Sequence, residues 1–310
     1  MIKNSLTQSI VAILTLLSAP GLLHAGSIAI PNSSFESPVA VFVSTDIDSW
    51  QKSPKPDWYD ESDGFLWRQL TGLFKNTPSD RDDHIENCDG SQAMWLFAVP
   101  GVGLFQESVL TGSSDPPLSE RLNATFTVGR SYHLTAGVIG MGGGMSNGAT
   151  LELSLYYRDA SSNRVTVAAT SVTNSPAQFS NRTRLVEFRV EVPSVKTNDS
   201  WANQPLGIGL LSTVGFELQG GYWDLDNLHL TETRSPILHA ASSSEDPFSL
   251  ILESEPGLRC EILTAMDITT PLSEWVRLLD LINTTGRVAI PISKLDSSAR
   301  FYRVRELTLE

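Results

Sequence analysis

Residues Leu151, Leu153, Leu155 and Tyr157 alternate with Glu152, Ser154, Tyr156 and Arg158. Successive strand side chains point to opposite faces, so this period of two describes one buried and one exposed sheet face. The same alternation recurs in Ala124–Val128, Tyr132–Val138, Arg164–Ala168, Val186–Val192 and Leu206–Leu211. Turn clusters separate these runs, among them Gly142-Gly143-Gly144, Ser161-Ser162-Asn163 and Asn174-Ser175-Pro176. Beyond the first 25 residues no stretch carries a helical stripe of three turns. The pattern predicts an all-β protein, a jelly-roll β-sandwich.

The pattern breaks once and restarts. Thr233–Pro247 is polar, serine-rich and contains proline, and reads as a linker. After it come Phe248–Ser254, Arg259–Ala265, Trp275–Leu281, Val288–Ile292 and Arg300–Val304, about five strands for a small second β-sandwich. The expected organisation is a leader at 1–25, a jelly roll at 26–232, a linker at 233–247 and a small β domain at 248–310. The leader follows from Lys3, the apolar run Ile10–Leu17 and the small residue Ala25, the order of a cleaved secretory signal. That run is far shorter than the roughly 20 apolar residues a spanning helix needs. The expected location is therefore secreted or periplasmic/extracellular, without membrane insertion.

Charge narrows the partners. With 35 acidic and 22 basic residues the chain carries a net charge of −13, which argues against nucleic acid. Two cysteines, Cys88 and Cys260, lie far apart in sequence. We expect two separate thiols; an interdomain bridge stays open, since sequence does not show the short Cα separation it needs. The acidic run Asp80–Glu86 fails the calcium-loop pattern, because Ile85 stands where the turn glycine belongs, and reads as a solvated loop. No Gly-x-Ser-x-Gly elbow, His-Glu-x-x-His or Cys-x-x-Cys occurs.

Four landmarks occur in a fixed order. Ile30-Pro31-Asn32-Ser33-Ser34-Phe35-Glu36 opens the large domain, with Trp50 after it. Asp89-Gly90-Ser91-Gln92-Ala93-Met94-Trp95-Leu96 leads to Gly103-Leu104-Phe105-Gln106-Glu107. Tyr132-His133-Leu134-Thr135 lies midway, and Trp223-Asp224-Leu225-Asp226-Asn227-Leu228-His229-Leu230 closes the domain. This order resembles the galactose-binding-like jelly rolls of bacterial exported proteins, a group with many carbohydrate-binding modules. The resemblance implies a non-catalytic glycan-binding protein with no enzyme activity and a glycan or cell-surface polysaccharide as partner. It also implies a structural calcium ion held by Glu36 after the first strand and Asp226 on the last. Calcium wants 6–8 oxygens, and two carboxylates brought together gain from a cation between them.

One departure from that family is the long, aromatic stretch Gln51–Cys88. Sugar binding needs flat aromatic faces beside polar groups, so Trp58, Tyr59 and Trp67 are the candidate ligand-binding residues. Phe65 is expected to pack on the sandwich edge and Trp95 to lie in the core. Two other readings stay open: an extracellular adhesion protein using the same fold for protein contacts, and a glycoside hydrolase with an unrecognised carboxylate pair.

Overall fold

A computed structural model describes residues 26–62, 64–108, 120–241, 248–292 and 300–307. The chain is all-β, as its alternation requires. In the larger unit the strands are β1 (Gly26–Ile28), β2 (Val43–Ser44), β3 (Gln51–Lys52), β4 (Thr71–Lys75), β5 (Gln92–Phe97) and β6 (Gly103–Glu107). They continue with β7 (Arg130–Gly142), β8 (Thr150–Arg158), β9 (Arg164–Thr173), β10 (Val186–Val192), β11 (Gly207–Ser212) and β12 (Tyr222–Arg234). One sheet runs β10-β7-β12-β5-β4-β2, with β1 against β12; the other runs β3-β6-β11-β8-β9. The pairings are antiparallel.

The sheets face each other across one apolar core, to which β8 gives Leu151, Leu153 and Leu155 and β7 gives Leu134, Ala136 and Val138. Along β7 and β8 alternate residues enter it, as the alternation placed them. Tyr156, on the opposite face of β8, is also covered: its hydroxyl reaches Glu107 Oε2 at 3.0 Å, and Arg158 pairs with the same carboxylate at 2.8 Å. Ala124–Val128 forms no strand; its part in a sheet is the single bridge Thr125 to Pro205.

A second unit holds β13 (Ile237–Ala241), β14 (Ser249–Glu253), β15 (Leu258–Ala265), β16 (Val276–Asn283), β17 (Arg287–Pro291) and β18 (Phe301–Glu306). Its sheets, β13-β14-β17 and β16-β15-β18, enclose a separate small core around Leu250, Leu252, Cys260 and Ile262. Part of the segment read as a linker is thus strand: β12 runs to Arg234, and β13 pairs with β14. Residues 242–247, the rest of it, lie outside the described residues, as does the leader at 1–25. The units meet through polar contacts, Arg234 N–H donating to Glu255 Oε1 at 2.8 Å and Arg130 pairing with Glu255 at 3.5 Å. Cys88 and Cys260 are both free thiols. No helix among the described residues is long and apolar enough to cross a membrane.

Candidate active site

The last strand of the large unit decides what its sheet presents outside the core. Trp223 and Leu225 are fully buried in the core, so Tyr222, Asp224 and Asp226 take the opposite face. Neighbouring strands contribute to the same outer face by register. Asp224 stands opposite Trp95 of β5 on one side and Ile139 of β7 on the other. Tyr222 stands opposite Phe97, their rings 5.9 Å apart, and opposite Gly142. The result is an aromatic floor with one carboxyl set into it.

Two loops roof this floor. Residues 76–91 cross the sheet and are pinned by a small apolar cluster of Ile85, Ala93, Ile139 and Leu185. Asn76 and Ile85 exchange hydrogen bonds at 3.0 Å, and Glu86 N–H donates to Thr183 O at 2.8 Å. Asn87 likewise bonds both backbone groups of Leu185, at 2.8 and 3.1 Å. Between loops and sheet lies a cavity of about 760 Å³, walled further by Phe42, Val43, Phe74 and Met141. Apart from Asp224, the charged side chains lining it, Lys75, Asp82, Asp83 and Arg182, belong to exposed rim residues. The acidic run is therefore more than a solvated loop, since two of its carboxylates edge the cavity.

Asp224 is half-buried, and its lining position accounts for the part that is open. Burial pushes its carboxyl up to about 7. Removing a charged carboxylate from water favours the neutral acid, and no ion pair among the described residues offsets that here. The Tyr222 phenol is raised as well, first by burial and then by the charge of Asp224, so it stays protonated. A carboxylic acid held neutral near pH 7 in an aromatic cavity can donate a proton to an apolar substrate.

Asp226, two residues on, is fully buried. Its Oδ2 accepts from Asp89 N–H at 2.7 Å, while Oδ1 finds no hydrogen-bond partner among the described residues. Burial raises this carboxyl to about 7 in spite of its hydrogen bonds. Glu36 holds the other end of the same turn, accepting from Ser91 N–H at 2.8 Å, Gln92 N–H at 2.7 Å and Ser91 Oγ at 2.8 Å. Asp226 does not share a face with Leu228 and Leu230, as simple alternation suggests. Between the pairs Asp226–Gly137 and His229–Thr135, two residues of β12 oppose one of β7, and this bulge at Asn227 (φ 58°) turns the later leucines inward. No group of three or more His, Cys, Asp or Glu among the described residues is disposed to hold a metal.

Trp58, Tyr59 and Trp67 come together, though not at the cavity. Their rings stack edge to face, Tyr59 to Trp67 at 5.0 Å and Trp58 to Trp67 at 6.0 Å, and Phe216 meets Trp58 at 4.8 Å. Trp67 is buried and its Nε1–H donates to Ser53 O at 2.7 Å; Trp58 stays 45% exposed. Phe65, expected to pack, is 66% exposed. Trp95, expected in the core, lines the cavity. Sequence reasoning missed Asp224. The available signal was an acid alternating with buried Trp223 and Leu225 in a closing strand, which puts it on the outer face of a central strand.

The likenesses to solved structures are remote. A Stig cyclase of Fischerella sp. TAU, in complex with (3Z)-3-(1-methyl-2-pyrrolidinylidene)-3H-indole, is 19% identical with a TM-score of 0.49. The match covers 67% of this chain and 98% of that one. A second cyclase structure from Fischerella sp. TAU gives 19% and 0.48, over 68% of this chain and 98% of that one. The xylan-binding CBM22-1 domain of Paenibacillus barcinonensis is more remote, at 13% and 0.31, covering 59% and 85%. A search of curated proteins returns no match. Residues 26–231 match the HpiC1-like family, described as HpiC1 cyclase. That match corrects the expectation of a non-catalytic carbohydrate-binding protein: the family is one of enzymes, and the glycan partner falls with the binding role. The ordered landmarks report a jelly-roll frame, and a frame does not by itself carry a function. The chain belongs to the HpiC1-like cyclase family.

Proposed function

We propose that this chain catalyses an acid-initiated cyclisation of an apolar, unsaturated substrate bearing a flat aromatic group, with Asp224 as the proton donor. The observation that carries this reading is the position of Asp224, a lone carboxyl in an aromatic floor between Trp95 and Ile139. Cyclisation of this kind is an isomerisation. A proton enters at an unsaturated carbon, a carbon–carbon bond closes the ring, and a proton leaves. The protein must supply an acid, hold the chain folded and keep water from the electron-poor intermediate. Asp224 supplies the acid, the apolar walls hold the chain, and the roof of 76–91 and 182–183 shields it. The faces of Trp95, Phe97 and Tyr222 favour positive charge developing above them.

Calcium fits the far end of the same face as a structural ion. The orphaned Oδ1 of buried Asp226 is an oxygen in want of a cation, and Glu36 grips the same 88–92 turn. Asp226 and Glu36 would anchor it, with backbone carbonyls and water completing the oxygen shell. When bound, the ion supplies neutralising charge that fixes this turn. The pattern of Lys3, Ile10–Leu17 and Ala25 further supports export, and the separate small core supports a second domain after residue 232.

The test incubates purified protein with indoles and phenols carrying prenyl-derived chains, and seeks ring-closed products of unchanged mass. Asp224→Asn should lose at least about 10²-fold in rate at a melting temperature no lower than the parent's. An Asp224→Asn protein with full turnover overturns the assignment.

A further inference from the structure

Two aromatic residues of the cavity floor lie down on glycines of the neighbouring strand. Gly72 and Trp95 are paired residues of β4 and β5. A Cβ at position 72 would stand 2.3 Å from both Cζ2 and Cη2 of Trp95, closer than atoms approach, and 2.4 Å from Ser44 O. The indole therefore occupies the space a side chain at 72 would fill, held there by its Nε1–H donating to Gln69 O at 3.1 Å. Tyr222 repeats the arrangement across β12 and β7. A Cβ at Gly142 would meet its ring carbons at 2.6 Å, and one at Gly143 (φ +57°) would meet them at 3.0 and 3.1 Å. A glycine inside a strand marks such close approaches, since only there can a ring rest on the backbone.

We infer that Gly72 and Gly143 determine substrate size and shape, by letting Trp95 and Tyr222 lie along the sheet. The floor on either side of Asp224 is then broad and flat, and the class of substrate it takes is one with a planar fused arene laid parallel to the sheet. A side chain at 72 lifts the Trp95 ring into the cavity and narrows it from below. A methyl at 143 presses on Tyr222 by a smaller amount, because its contacts start at 3.0 Å, and adds the backbone strain of a side chain at φ +57°. This inference rests on the cavity being the cyclase site.

The experiment measures binding of indole and of the bulkier 3-benzylindole to the purified protein by titration calorimetry, with melting temperatures recorded in parallel. Gly72→Ala should weaken 3-benzylindole at least tenfold and indole no more than threefold; Gly143→Ala should shift the ratio in the same direction by less. Trp95→Phe should shift it the other way, and Gly72→Ala combined with Trp95→Phe should return it toward the original value. If Gly72→Ala alone does not fold, recovery of folding and binding in the double variant supports the seat. A Cβ at 72 also meets Ser44 O at 2.4 Å, which no change at Trp95 relieves, so where the double variant stays unfolded Trp95→Phe and Gly143→Ala decide, and folded variants with unshifted ratios overturn the inference. A parent protein that binds neither probe sinks the reading of the cavity itself, a different failure.

Discussion

Asp224 and Asp226 share one strand, one face and one direction of perturbation, and their surroundings make them different things. Burial pushes each to about 7. Around Asp224 the chain supplies indole, phenyl and phenol rings and leaves a cavity. Around Asp226 it supplies the backbone of 88–89 and a thiol, and keeps the side chain from solvent. A raised carboxyl is thus a candidate for chemistry only where a substrate can reach it; elsewhere it is a buried polar group that the fold must accommodate.

The sharpest break of this comparison exchanges the two acids in turn. Asp224→Asn should cost about 10²–10⁴ in turnover and not lower the melting temperature. Asp226→Asn should leave turnover within a few-fold when calcium is in excess and lower the melting temperature. Rates that fall equally in both variants would mean that the two ends of the face act as one site.

Removing calcium is next in size. An ion saturating at about 100 times its dissociation constant stabilises by about 2.7 kcal/mol. Chelation should therefore lower melting by about 5–8 °C in the parent and by little in Glu36→Ala and Asp226→Asn. Identical melting curves with calcium and with chelator remove the ion from the account.

The pH dependence separates chemistry from stability. The folded value of Asp224 lies near 7 and its unfolded value near 3.8. Between these the native state holds more protons than the unfolded chain, so stability falls as pH rises from about 4 to 7. Asp224→Asn should flatten part of that slope, by about 1–2 kcal/mol. Turnover should fall through pH 7 as the acid form is lost. A rate that climbs from pH 6 to 8 contradicts a proton donor at this position.

The smallest effect belongs to the other aromatic cluster. Trp58→Ala, on a half-exposed ring outside the cavity, should cost about 1 kcal/mol or less and leave turnover unchanged. A large loss of activity there would extend the site beyond the β12 face.

The strands were legible because their signal is local. Val186–Val192 is read and found with the same bounds, and all five runs after residue 247 overlap a strand. Ala124–Val128 alternates yet finds no ladder beyond its bridge, since alternation shows which face is apolar and not whether a partner strand is at hand. Ile237–Ala241 was hidden in a polar stretch because three of its five residues are exposed. The cavity was not legible for a different reason. Its floor joins β4, β5, β7 and β12, whose neighbours are set by sheet order rather than by sequence. The unusual loop 51–88 did draw notice, but for its aromatic first half; its acidic second half roofs the site.

The bulge at Asn227 works like a frameshift in the strand's two-letter code. Upstream of it odd-numbered residues read inward, as Trp223 and Leu225 do; downstream the even-numbered ones do, as Leu228 and Leu230. One inserted residue lets a single strand carry acids outward at 224 and 226 without giving up its leucines to solvent. Deleting Asn227 would restore one frame along the whole strand, and the protein would have to choose between its core and its carboxylates.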